Sequence, residues 1–599
     1  MATLSYHISA VGGGSAIPAT PALKGCWEST RGFYAEEEDL MNKAILFLYV
    51  TIFSVGAADY YVDSELGNDD SSGVSRQAAW KSLERITAMV FEPGDNIYLR
   101  RGCHWTGNVQ LRGSGAEGNP ITVGAYGDGN GRPVINGNGY SGTHDVPVGV
   151  VYIENEEYWV IRDLEVTNNL NDERTFSHGI LARNFSGGAR RDIHIRDCYL
   201  HDISVSDEKR SCENKDKYLG GIRVKAFGDS PSWWDGVLIE NNVLERPGRC
   251  GIATGAGFGH PDESPYRPNL NVVIRGNKVS YTEGDGIIAV SCLKPLIEHN
   301  TVAHCGGITD YSAGIWCWQT KNALFQYNEA YGCHDPKSDG TGFDADYNSY
   351  GTVFQYNYSH DNEGGFLLVM RHRDNSPNKD ITIRYNISVN DGRKIIHGGG
   401  GASSPQNLTV HNNIFVLRES GQKAELFATN FFNNIIYAPG DNVDWQISVS
   451  DWSDYNCYYG AGSPPEEPHS IYEDPLFVDL GFSDTGFAGL SGYRLSHASP
   501  CIDAGFAFDT TGGPEVDFEG NSLFHSTPDM GAFEISDATI IMPPCGTKSK
   551  IRGASNRPSL TPWPVFGSVG SPSFDCRGRR LIARERGSFA HSVLIIETE

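Results

Sequence analysis

Asp344 and Asp346 flank Ala345 in the segment GFDAD that begins at Gly342. Side chains alternate faces along a β-strand, so both carboxylates project from one face, with Cα atoms about 6.5–7 Å apart. Rotation of the two side chains spans both separations that break a glycosidic bond. These are about 5.5 Å where one carboxylate is the nucleophile, and about 6.5–9.5 Å where a water stands between them. Two adjacent carboxylates also resist ionising together, which keeps one protonated as a donor. Glu363, in the turn before Gly364 and Gly365, completes the candidate catalytic set as a side-on acid/base.

Candidate binding residues surround this set. Trp316 and Trp318 hold the positions of the two aspartates one repeat earlier, and indole faces suit stacking on pyranose rings. Arg223 and Lys225 hold the same positions farther upstream, and Leu367 and Val369 hold them one repeat downstream. Asp339 precedes the strand, while Arg371 and His372 follow the next one and suit a substrate carboxylate or sulfate. Each has a plain structural alternative, because aspartate pairs and charged loops are most often solvated surface.

A repeat places these residues. A glycine-led unit recurs as GILAR from Gly179, GIRVK from Gly221, GIATG from Gly251, GIIAV from Gly286, GIWCW from Gly314, GFDAD from Gly342 and GFLLV from Gly365. The last three starts are 28 (342 − 314) and 23 (365 − 342) residues apart. A second unit, as in LFQYN, ends in Asn242, Asn277, Asn300, Asn328, Asn357, Asn386 and Asn413. A period of roughly 20–50 residues indicates a solenoid, propeller or array. Both units alternate with period 2 and are therefore strands, and two or three strands per period are too few for a propeller blade. Each repeat is then one coil of a parallel β-helix. The acids and tryptophans line one outer trough open to solvent, and the asparagines stack inward as a ladder of amide bonds.

On these repeats, and on DNIYLRRG and PITVGAYGDGNGRPVINGNG upstream, the chain resembles the right-handed parallel β-helix proteins of the pectate-lyase-like superfamily, over about Asp59 to Ser536. The resemblance implies an all-β solenoid and, as in many members, secreted action on polysaccharides; one fold hosts many chemistries. Three readings follow. The favoured one is a glycoside hydrolase using the carboxylates, with no cofactor. The second is a polysaccharide lyase, in which Ca²⁺ held by Asp335, Asp339, Asp344 and Asp346 would acidify a uronate C–H. In one pectate-lyase pattern the base lysine falls where this chain has Leu367, which counts against that reading, although Arg371 or Arg373 could substitute. The third is a non-catalytic glycan binder.

The formal net charge of −26 argues against nucleic acid as a partner. Residues 1–40 show no periodicity and are taken as an extra, unstructured segment. MNKAILFLYVTIFSVGAA, residues 41–58, has the pattern of a signal peptide and is too short to span a membrane. The expectation is a secreted monomer with a polysaccharide or oligosaccharide substrate. The β-helix occupies 59–536, with Gln77–Phe91 as an N-terminal capping helix presenting Trp80, Leu83, Ile86 and Val90. The repeat fades after Asn433 into an irregular closing region, and 537–599 reads as a disordered tail. Thirteen cysteines leave at least one outside any intramolecular disulfide; Cys305 and Cys333, in adjacent coils, are a candidate pair. His360 and His397 stand without evident partners in the sequence.

Overall fold

The computed structural model describes residues 56–535 apart from 144–145, 170–174, 205–214, 309–310, 336–338, 371–377, 400–404, 419–422, 441–442, 482–484, 509–512 and 524–526, together with three short strands farther on. Residues 1–55, and with them nearly all of the 41–58 stretch, lie outside the described residues. Among the described residues no helix is long and apolar enough to cross a membrane.

Three parallel sheets run the length of the first unit, with 14, 10 and 13 strands. Through the middle of the unit a coil contributes one strand to each sheet, as in Leu324–Gln326, Glu329–Tyr331 and Thr341–Ala345. The fold is a right-handed parallel β-helix. Its core is built by residues at equal positions stacking from coil to coil. Ile239, Ile274, Ile297, Phe325, Phe354 and Ile383 follow one another in register and are fully buried. Phe325 and Phe354 stack face to face at 4.7 Å.

The asparagine ladder exists and is longer than the repeat suggests. The Nδ2 of Asn328 donates to Asn357 Oδ1 at 3.0 Å, and the pattern continues through Asn386, Asn413, Asn434 and Asn456. The residue before each rung has positive φ, for example Tyr327 at 53°, Tyr356 at 56° and Tyr385 at 51°. Side chains other than glycine rarely adopt that conformation. The rung's bonds to its neighbours therefore compensate a tight left-handed corner between the first and third sheets.

Two expectations change at the ends. The N-terminal helix is only Leu83–Ala88; it closes the core with Leu83 and Ile86, while Trp80 pairs with Val62 and Val90 is 62 % exposed. The C-terminal closing region packs along the outer face of the third sheet, where Leu490, Tyr493, Phe518 and Met530 cover Tyr358, Tyr385 and Ile387. There His360 gains two partners, Asp361 at 2.8 Å and Glu329 at 3.3 Å. Cys305 and Cys333 are buried free thiols in contact with each other. In the second unit, Ala538–Glu599, strands Ser573–Phe574, Arg580–Ala583 and Ile596–Thr598 form an antiparallel sheet.

Candidate active site

The ten-stranded sheet carries the acids. Strand Thr341–Ala345 lies between Ile315–Trp318 and Gly365–Met370, with Asp344 in register with Trp316 on one side and Leu368 on the other. The same outer column runs back through Ile288 and Ala253 to Arg223. Phe343 and Ala345 are fully buried in the core, so the alternation read from GFDAD holds.

One register differs from expectation. Leu367 and Val369 pair with Phe343 and Ala345 and lie in the core, and Leu368 takes the outer position. Gly365, at φ 131°, pairs with Thr341 rather than with Gly342. Phe366 thus stands where earlier coils have their repeat glycine, and matching glycine to glycine shifts this strand by one residue, which inverts its faces.

The trough is roofed rather than open. Asp344 is only 5 % exposed although it points away from the coil interior. The short 3₁₀ segment Lys215–Tyr218 and residues 311–313 lie over the inner column. Lys217 Nζ sits 4.9 Å from the centre of the Trp316 ring and donates to the Tyr311 carbonyl at 2.8 Å. Trp316 is 3 % exposed, packs with Ala253, Ile288, Val290 and Ala313, and donates its indole N–H to Asp285 Oδ1 at 3.0 Å. It is a wall of the site and offers no free face for a sugar. The neighbouring column is more open, with Trp318 and Asp346 half-buried and Lys225 exposed.

Around Asp344 the structure gathers Asp346, Asp339 and Asp285, with Lys217 as the cation among them. Lys217 Nζ pairs with Asp285 Oδ2 at 3.3 Å. Burial works against the lysine's charge, but Asp285, Tyr218 and Asp346 outweigh it and hold the ammonium protonated. Asp344 is pushed well above the carboxylate range, first by burial and then by the charges of Asp346 and Asp339. Among the described residues its Oδ1 has no hydrogen-bond partner. Asp346 rises to about 6 through burial, opposed by the backbone N–H of Tyr347, which donates to its Oδ1 at 2.7 Å, and by Lys217. Asn378 fixes the strand end that carries both acids by donating to the Ala345 carbonyl at 2.8 Å.

Glu363 does not join this group. It accepts from Arg393 at 2.7 Å and pairs with His334, and its side chain is 38 % exposed. Asp339 does join it, as a neighbour whose charge Asp344 senses. Arg371 and His372 lie outside the described residues. Sequence reasoning missed Asp285 and Lys217. Asp285 stands directly before the repeat glycine Gly286, a pattern that can be read. Lys217 comes from an insertion between coils, and no periodicity marks it. Among the described residues, the grouping of three metal-binding side chains within 4.8 Å is Asp63, Glu65 and Cys103 in the first coils. Arg100 already neutralises Asp63 there at 2.9 Å.

Residues 220–438 match the family model for the right handed beta helix region. Lacto-N-biosidase of Bifidobacterium longum subsp. longum is 27% identical over 600 aligned residues, covering 81% of this chain and 37% of that protein. Pectate lyase PEL9 of Emericella nidulans is 29% identical over 225 residues, covering 34% of this chain and 51% of that protein. The present chain thus spans about a third to a half of these relatives' lengths. Among solved structures, the GH136 lacto-N-biosidase from Eubacterium ramulus is similar at 23% identity and a TM-score of 0.50, over 65% of this chain and 68% of that one. In fold, this chain is a right-handed parallel β-helix.

Proposed function

We propose that this protein is a glycoside hydrolase in which Asp344 is the general acid and Asp346 the carboxylate that attacks or activates water. The observation that carries the reading is the pair's shared burial, which favours a proton on Asp344 while Asp346 ionises near pH 6. Cleavage of a glycosidic bond needs that division of labour: one carboxylic acid to protonate the leaving oxygen and one carboxylate opposite it. Lys217 stabilises the ionised partner without serving as a base, since its surroundings hold it protonated. A lyase needs a neutral lysine or arginine to abstract a proton, and Lys217 does not offer one. Similarity to lacto-N-biosidase over most of this chain supports the hydrolase class and an oligosaccharide or polysaccharide substrate. Trp318 and Asp346 flank the accessible side, where a glycan would enter. Export through the 41–58 stretch, action outside the cell as a monomer, and no cofactor complete the proposal.

The test is turnover on a panel of plant, microbial and host glycans, read both as new reducing ends and as ultraviolet absorbance of unsaturated uronides. A hydrolase gives the first without the second and keeps its activity in chelator. Asp344→Asn and Asp346→Asn should each lower kcat by about 10²-fold or more. Asp339→Asn, tested beside them, shows whether the loop acid shares the role. Full turnover in both strand variants overturns the assignment.

A further inference from the structure

Four coils before the acids, the trough holds a buried cation that has no anion among the described residues. Arg223 stands in the column Arg223, Ala253, Ile288, Trp316, Asp344 and is 5 % exposed. Its guanidinium carbon lies 4.1 Å from the centre of the Tyr218 ring. One of its nitrogens would stand 2.7 Å from a Cβ on Gly255, so the side chain leans over the next coil, toward the acids, into space that only a glycine leaves. Among the described residues no carboxylate pairs with it, and its buried Nη1 has no hydrogen-bond partner.

A second buried group senses the charge of the same cation. His178 is 3 % exposed and opposes Gly220 on the neighbouring strand, and its Nδ1 also lacks a partner. Burial, then the charges of Arg223 and Lys225, keep this imidazole neutral. A ring face recovers only part of what a guanidinium loses on leaving water, and buried polar atoms are normally satisfied. Arg183, one coil earlier in the adjacent column, shows the paired arrangement, with two of its nitrogens donating to one oxygen of Glu154 at 2.6 and 2.8 Å. Arg223 has the same fork, and among the described residues no oxyanion meets it.

We propose that Arg223, backed by the Tyr218 ring, is a subsite that receives an anionic substituent of the glycan, a carboxylate or a sulfate ester. This rests on the hydrolase reading for its place in catalysis, but the subsite is defined by binding alone. Guanidinium takes carboxylate and sulfate in the same two-pronged way, so the chemistry is shared and the probes must separate the two. Arg223 lies about 19 Å from Asp344 at four coil spacings of about 4.8 Å. The charged unit therefore sits several sugars from the cleaved bond and acts on binding more than on the chemical step.

The experiment is calorimetric titration of the full chain with methyl β-glucuronide, galactose 6-sulfate and neutral methyl β-glucoside. Wild-type protein should bind one of the anionic probes at least tenfold more tightly than the neutral one, and the preferred probe tells carboxylate from sulfate. Arg223→Gln should remove that preference, and Arg223→Lys should restore part of it. Equal affinity for all three probes, or a preference that survives Arg223→Gln, overturns the proposal. If Arg223→Gln does not fold, competition of the charged probe by inorganic sulfate on wild-type protein decides, and absence of competition overturns it. Anion binding by a protein that cleaves no glycan would refute the hydrolase reading and leave the subsite standing.

Discussion

Replacing Asp346 by Asn should stabilise the protein at neutral pH while lowering the proposed hydrolase kcat by about 10²-fold or more. The folded state moves this carboxyl from its usual 3.8 to about 6. A raised folded pKa means the native chain holds its proton more tightly than the unfolded chain. The associated stability is therefore full below pH 3.8 and is lost as pH rises through 6. The difference corresponds to ~3 kcal/mol at pH 7.5 and to less than ~1 kcal/mol at pH 4. Asparagine avoids that cost and still accepts from the Tyr347 N–H, now at 2.7 Å. Part of the gain is offset because Lys217 loses a neighbouring anion, so a net gain of about 1–3 kcal/mol is expected at pH 7.5. Urea unfolding of both proteins, followed by tryptophan fluorescence at pH 4 and pH 7.5, measures it. A variant no more stable than wild type at pH 7.5, or a gain that is equally large at pH 4, would refute the reasoning.

Lys217→Met removes a charge that lowers the pKa of Asp346, so the acidic limb of the kcat/KM profile should move to higher pH. His360 is raised to about 9: burial opposes its charge, but the hydrogen bonds its ring donates to Asp361 and Glu329 prevail. Its contribution of ~3 kcal/mol should be full below pH 6.5 and lost as pH rises through 9, so the stability gap between wild type and His360→Gln should close between pH 6 and 9.5. Asn328→Ala takes out a middle rung, removing the acceptor of the Asn300 backbone N–H, one of the two acceptors of Asn300 Nδ2 and a donor to the Ile297 carbonyl; the expected loss in urea unfolding is about 2–4 kcal/mol.

Much of the scaffold was legible because a solenoid repeats its own physics. The ladder could be traced through seven asparagines since each coil meets the same need to satisfy a buried corner, and Asn434 and Asn456 continue it where the surrounding pattern had weakened. The long N-terminal helix was over-read: Trp80 has helical spacing with Leu83 and Ile86 but is drawn into a bridge with Val62. Trp316 illustrates the limit at the site. Its outward direction follows from alternation, yet whether an outward side chain meets water depends on what another part of the chain lays over it, here Lys217.

The sequence by itself determined which residues face into the coil, that Asp344 and Asp346 share a face, and that Arg223, Trp316 and Asp344 fall in one line, because strand alternation and coil stacking are local and periodic. Only the tertiary structure decided that this line is covered, that Lys217 completes the acid cluster, and that Leu368 rather than Leu367 follows Asp344. Those outcomes come from a one-residue slip at Gly365 and from insertions between coils. Neither obeys the repeat, so only packing in three dimensions reveals them.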